Sequence, residues 1–246
     1  MLLFSSLWTA SAAAGLVAAA GAAIGTGQPP VALALAGTWV VYNVDRLRDL
    51  ERDRPAWPLR TRFVEENRAL LIGLTACIAV AAVALGIYQG ASTVALCAAV
   101  GGLGLLHRRL KGHVGAESAY VTGAWLAVGI GLPALAGPLP PGATSLLPWV
   151  AGVFAGTLAA NALASTLCDS PSTPGHRSAV LSAAGLGVVA SAGVAWAAPE
   201  TLRPLIAIPA AQAFVLLFFR RDERYALGGL DGGLGLGAWI AAGLVG

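Results

Sequence analysis

The carboxylates of Asp45, Asp49 and Asp53 stand four residues apart in the segment VVYNVDRLRDLERDRPAWPLRTRF, residues 40–63. On a continuous helix that spacing puts all three on one face, about 6 Å apart along the axis. Like charges so placed repel, and the row needs a counter-charge. A hard divalent cation would supply one, since Mg²⁺ binds through one or two carboxylates together with phosphate oxygens. The interleaved Arg46, Arg48, Arg52 and Arg54 would supply another, making the row a solvated helix end with Asp53 furthest into water. Asp45 follows an apolar run, a position where a carboxylate is a functional candidate by default.

A second acid leaves an apolar run in NALASTLCDSPSTPGHRSAV, residues 161–180. Asp169 is followed by SPSTPG, which breaks the helix before His176 and Arg177. Asp169 reads either as the cap of that turn or as a carboxylate facing the first row across a bundle, with Arg177 close by. The basic loop LLHRRLKGHVGAES, residues 105–118, carries Lys111, the one lysine of the chain. A flexible ammonium suits a phosphate oxygen, whereas Arg108 and Arg109 read as topology charges. RRDERYALGGLDGG, residues 220–233, reads as a short loop from which Asp231 enters the last apolar stretch. There is no Walker loop, no G-x-S-x-G, no H-E-x-x-H and no serial repeat.

What must position these groups is a set of apolar helices. The chain has 246 residues, 57% of them hydrophobic and 11% charged, with a mean hydropathy of +0.75. An ordinary soluble domain has about 25% charged residues, so this chain has too few to cover a water-facing surface. The reading is an all-α, polytopic membrane bundle in one domain, residues 1–246, and it excludes nucleic-acid-binding, disulfide-stapled and disordered classes. Charges and prolines divide the chain into nine predicted transmembrane helices near 5–25, 30–45, 69–88, 91–107, 118–137, 146–168, 179–198, 203–219 and 227–245. The first lacks a basic leader and reads as a retained helix. Fourteen of the fifteen Lys and Arg residues fall after the even-numbered spans, only Arg203 lying opposite. By the positive-inside rule those loops and the N-terminus face the cytoplasm, in a multi-pass protein of the inner or plasma membrane. Eleven of the twelve acids share that face. Cys77, Cys97 and Cys168 have no metal or redox spacing and read as small apolar fillers.

Nine helices, an acidic pattern after the second, a basic loop after the fourth and a second acidic pattern after the sixth together resemble the UbiA superfamily of intramembrane prenyltransferases. The resemblance covers nearly the whole chain. Asp45 and Asp49 fit the spaced acids of the family's first pattern, N-D-x-x-D-x-x-x-D, and Tyr42, Asn43 and Arg46 complete a Y-N-x-D-R variant, with Val41 at the family's Asn position. In the second pattern Asp169 fits the first acid and Arg177 stands near the G-D-R element, where His176 replaces an acid. The resemblance implies that Asp45, Asp49 and Asp169 hold Mg²⁺ on the diphosphate of a polyprenyl donor. It implies that Tyr42, Asn43, Arg46, Lys111 and Arg177 bind that substrate, and that a hydrophobic aromatic or lipid acceptor receives the prenyl group among the membrane lipids. A non-catalytic relative would keep the spans without needing Asp45 and Asp49. A transporter would carry its ionisable groups near the bilayer midplane, where these spans are bare.

Overall fold

The computed structural model describes residues 5–110, 114–169 and 174–246, with backbone alone at 105–110, 114, 169 and 174–176. Among the described residues there are helices and turns but no strands. The order is α1 (Leu7–Ile24), α2 (Val31–Arg48), α3 (Leu50–Asp53), α4 (Pro58–Glu66), α5 (Arg68–Gln89), α6 (Ala91–Leu110), α7 (Val114–Leu126) and α8 (Leu132–Leu135). Then follow α9 (Ala143–Asp169), α10 (Pro174–Ala197), α11 (Ala207–Leu217) and α12 (Asp231–Val245). Among the described residues seven helical stretches are long and apolar enough to cross a membrane: Leu7–Ile24, Arg68–Gln89, Gly115–Leu135, Ala143–Cys168, Arg177–Ala197, Glu200–Leu217 and Tyr225–Val245. The chain is therefore a helical membrane bundle. The other two stretches expected to span are also helical. One is α2, which ends in Asp45, Arg46 and Arg48, and the other is α6, whose apolar part is Ala91–Gly104.

α1 is the axis. Thirteen of its eighteen residues are buried, ten of them Ala, Gly or Val, and it packs against α2, α9 and α12. Small side chains let these backbones approach closely, which matters where lipid removes the hydrophobic drive between helices. A Cβ added to Gly15 would lie 3.1 Å from Ala238 Cβ, and one on Gly235 would lie 3.3 Å from Ala12 Cα. The α9–α10 contact is tighter: a Cβ on Gly187 would stand 2.7 Å from the Gly156 carbonyl oxygen. Around this centre α5 packs on α2 and α6, and its outward face is a lipid-type surface of Val80, Val83 and Ile87.

Two π-helical turns interrupt the long helices. Ala127–Gly131 separates α7 from α8 and precedes Pro133. Proline lacks an N–H and its ring crowds the carbonyl four residues back, here that of Gly129, so the widened turn absorbs the strain. Tyr225–Leu230 leads directly into Asp231 at the head of α12. Cys77 and Cys97, expected as small apolar fillers, lie on exposed faces of α5 and α6, and none of the three cysteines is in a disulfide. Lys111 lies outside the described residues.

The close approach at Gly187 predicts that Gly187→Ala will lower the unfolding temperature of the detergent-solubilised protein. Gly185→Ala, whose new methyl meets nothing within 4 Å, should leave it unchanged or raise stability by about 0.5–1 kcal/mol through helix propensity. Equal effects in thermal unfolding would rule out backbone contact as the constraint on that helix pair.

Candidate functional site

The acidic row does not form one continuous face. α2 ends at Arg48, and Asp49 leaves helical geometry with φ −101° and ψ 17° before α3 begins. Backbone bonds still run from Asp49 N to Asp45 O and from Asp53 N to Asp49 O, both 2.9 Å, so the chain bends without breaking. The bend sends the three carboxylates to three environments. Asp45 is about one-third exposed and takes a 3.0 Å bond from Arg48 Nη2, whereas Asp49, its side chain fully buried, meets Arg48 Nε at 3.4 Å. Asp53 pairs with Arg60 at 2.6 Å, both side chains being mostly buried. Asp53 is thus not the most hydrated of the row, because Trp57 turns the segment back onto the bundle. Trp57 is buried with Ala164, Ala226, Leu227 and Leu230, and the Arg60 guanidinium stacks 4.4 Å above its ring.

The segment is pinned from a distance by Asp222 and Glu223, in the stretch 220–233 whose composition predicts a short loop. Glu223 accepts the backbone N–H groups of Leu59, at 2.9 Å, and of Arg60, so it caps the start of α4 from 163 residues away. Asp222 Oδ1 accepts the Tyr225 N–H at 2.7 Å and starts the turn that leads into α12. Nothing local in the sequence marks Glu223 as a cap, since a cap is ordinarily supplied by the residue preceding its own helix. At the outer edge Arg62 donates to Glu66 at 2.8 Å, and that carboxylate holds the guanidinium above its ordinary pKa.

A cavity of 320 Å³ opens between α2, α6 and α7. Its wall follows α2 from Leu33 to Arg48, a run of about 22 Å at helical rise, and adds Cys97, Val100, Gly104, Val121 and Val128. Asp45 and Arg48 are the charged residues in this wall, both near the end of α2. Tyr42, Tyr120 and Trp125 present aromatic groups, and Trp125 Nε1 donates to the Tyr42 hydroxyl at 3.2 Å with the rings edge-on, 6.4 Å apart. A long apolar slot with a charged mouth suits an amphiphile with a polar head and an extended tail.

The other expected site residues lie elsewhere. Asn43 is buried and donates to Trp39 O at 2.8 Å and Ser5 O at 3.4 Å, tying α2 to the chain before α1. Arg46 is buried on the inward side of α2 and is absent from the cavity wall. Arg177 is exposed, lies 5.7 Å from the Phe219 ring and is absent from the cavity wall. The carboxyl of Asp169 lies outside the described residues, although its backbone closes α9. Among the described residues no three His, Cys, Asp or Glu groups come together as a metal cage. Comparisons with protein families, curated proteins and solved structures give no match. Fold and site together define the chain as a helical membrane bundle with a largely apolar slot whose charged residues are the Asp45–Arg48 ion pair.

Asp53→Asn should therefore act on the fold: losing its partner leaves Arg60 buried and should cost about 1–3 kcal/mol. Chemical unfolding in micelles measures it, and a wild-type midpoint would show that the pair contributes nothing.

Proposed function

We propose that the chain is an intramembrane transferase of the UbiA kind, which takes a polyprenyl diphosphate into this slot and passes the prenyl group to a hydrophobic aromatic or lipid acceptor. The observation that carries the reading is the slot itself: a wall that is largely apolar for about 16 Å, from Leu33 to Val44, and then ends at Asp45 and Arg48. The tail would lie along Val41, Val44, Val100 and Val128, and the diphosphate would meet the Arg48 guanidinium.

The residues at the mouth fit Mg²⁺ in one respect. Asp45 offers one partly exposed carboxylate, and an ion of this kind completes its shell with phosphate oxygens and water. Asp49, fully buried on Arg48, offers none to the slot. When bound with the diphosphate, Mg²⁺ would neutralise charge on the departing group. Arg48 contributes positive charge at the same place, where low dielectric strengthens its effect. The apolar wall keeps water from the allylic carbon. The faces of Tyr42, Tyr120 and Trp125 are the groups that can stabilise positive charge on it.

The reading includes nine spans. α2 has eighteen residues and lies between α1 and α5, so it would cross with them at about 27 Å, close to the thickness of a bilayer core. The basic residues after α2 then face the cytoplasm, as does the N-terminus. A reporter fused after Gly246 should lie outside the cytoplasm and one inserted near Pro55 inside; an inside C-terminus would remove the nine-span arrangement.

The chemistry is tested by Mg²⁺-dependent binding of a non-hydrolysable geranylgeranyl diphosphate analogue, and by pyrophosphate release from the natural diphosphate. Asp45→Asn and Gly104→Leu should each weaken binding at least about tenfold, the first by removing a charged contact and the second by filling the slot. Asp49→Asn should act mainly on stability. Parental binding in both Asp45→Asn and Gly104→Leu would end the donor-site reading, whereas binding without pyrophosphate release would leave a lipid-binding relative that does not turn over.

A further inference from the structure

The slot is closed at the end opposite its charged mouth. There its wall is Leu33 and Ala34 of α2 and Leu132 of α8, which are 4%, 2% and 2% exposed, with Val17 of α1 packed among them. α6 seals the remaining side. Leu96 packs against this cluster, and a Cβ added to Gly131 would lie 2.9 Å from the Leu96 Cδ2 atom. Gly131 ends the π-helical turn and Leu132 follows it, so the widened turn before Pro133 positions this floor.

Above the floor the α2 wall carries less bulk, first Gly37 and Thr38 and then Val41 and Val44. Gly37 stands one turn from Leu33, and a Cβ built on it would meet nothing within 4 Å. The slot is therefore open one turn above the floor and blocked by leucine side chains at it. An apolar channel that is blocked at one end and charged at the other has a defined depth for an amphiphile held by its head.

That depth corresponds to a chain length. Each isoprene unit adds four chain carbons, about 5 Å when extended at ordinary C–C geometry. The wall from Leu33 to Val44 takes about three units at helical rise, and the last turn to Arg48 takes about one more, the reacting one, near the Tyr42 and Trp125 rings. Apolar tails gain little by leaving lipid for an apolar slot, so contact area alone does not select a length. The floor selects by exclusion: a fifth unit would have to displace Leu33 or Leu132 from a packed cluster, and close-packed side chains resist that. We propose that Leu33 and Leu132, backed by Leu96, are specificity-determining residues that set the longest donor tail the slot holds at about four isoprene units. The proposal rests on the reading of the slot as the donor site.

The test measures binding of non-hydrolysable diphosphate analogues with three, four and five isoprene units to the detergent-solubilised full chain with Mg²⁺. The micelle favours longer tails equally for every variant, so that preference cancels when length ratios are compared between variants. Gly37→Leu raises the floor by one turn, about 5 Å, into open space. It should weaken binding of the four-unit analogue relative to the three-unit one at least about tenfold, with the unfolding temperature at or above the parent's. Leu33→Ala lowers the floor and should improve the five-unit analogue relative to the four-unit one by a similar factor. A merely structural role would change the affinity for all three lengths alike. Parental length ratios in both variants would overturn the proposal and leave the donor site standing. If the parent binds none of the three, the donor-site reading ends and the length limit ends with it.

Discussion

The close approach of backbones to α1 is the constraint on which the other features depend. In a bilayer, apolar side chains gain little by leaving lipid for one another, so helices are held by packing and by polar contacts that lipid cannot replace. Ala12, Gly15, Ala19 and Ala20 give α1 a surface without bulk, and Gly235 and Ala238 give α12 the matching one. At that separation Thr9 can reach Asp231, so the polar contact depends on the small-residue contact. A larger side chain at the crossing would part the hydroxyl from the carboxylate as well as the backbones.

The interior charges after α2 are held by contacts of their own. Asp53 pairs with Arg60, whose guanidinium stacks on the Trp57 ring. Glu223 caps α4 from the loop that leads into α12. The segment after α2 is therefore tied to the C-terminal part of the chain. Buried ion pairs of this kind contribute little net stability compared with apolar packing, and their best-attested use is to fix one arrangement among several. Here they fix how α2 leaves the bundle.

The slot is the product of that exit. α2 presents one face to α6 and α7 along most of its length, and the π-helical turn after α7 sets the course of the helix that carries Trp125 beside Tyr42. The apolar tail of an amphiphile would meet helix side chains throughout, and its head would meet a single ion pair. Charge at the mouth and its absence along the wall divide the two ends of any ligand by polarity.

Much of the architecture was legible in the chain. Apolar runs divided by Arg-rich and Pro-rich segments marked the long apolar helices, though not the short α3 and α4, because hydrophobic length and helix-breaking residues act locally. Asp45 was legible for the same reason: an acid at the end of an apolar run stands out without a neighbour. The fates of Asp49, Asp53 and Arg46 were not. Spacing of four residues puts three acids on one face only while the helix runs straight, and the bend at Asp49 comes where Trp57, with Glu223 capping α4, pulls the following segment onto the bundle. Asp231 had no motif around it, since Thr9, which donates to its carboxylate, lies 222 positions away in the chain. Periodicity records which face of a helix is apolar; which buried charge meets which depends on how far each helix is rotated against its neighbours, and that is set by packing between residues far apart in the chain.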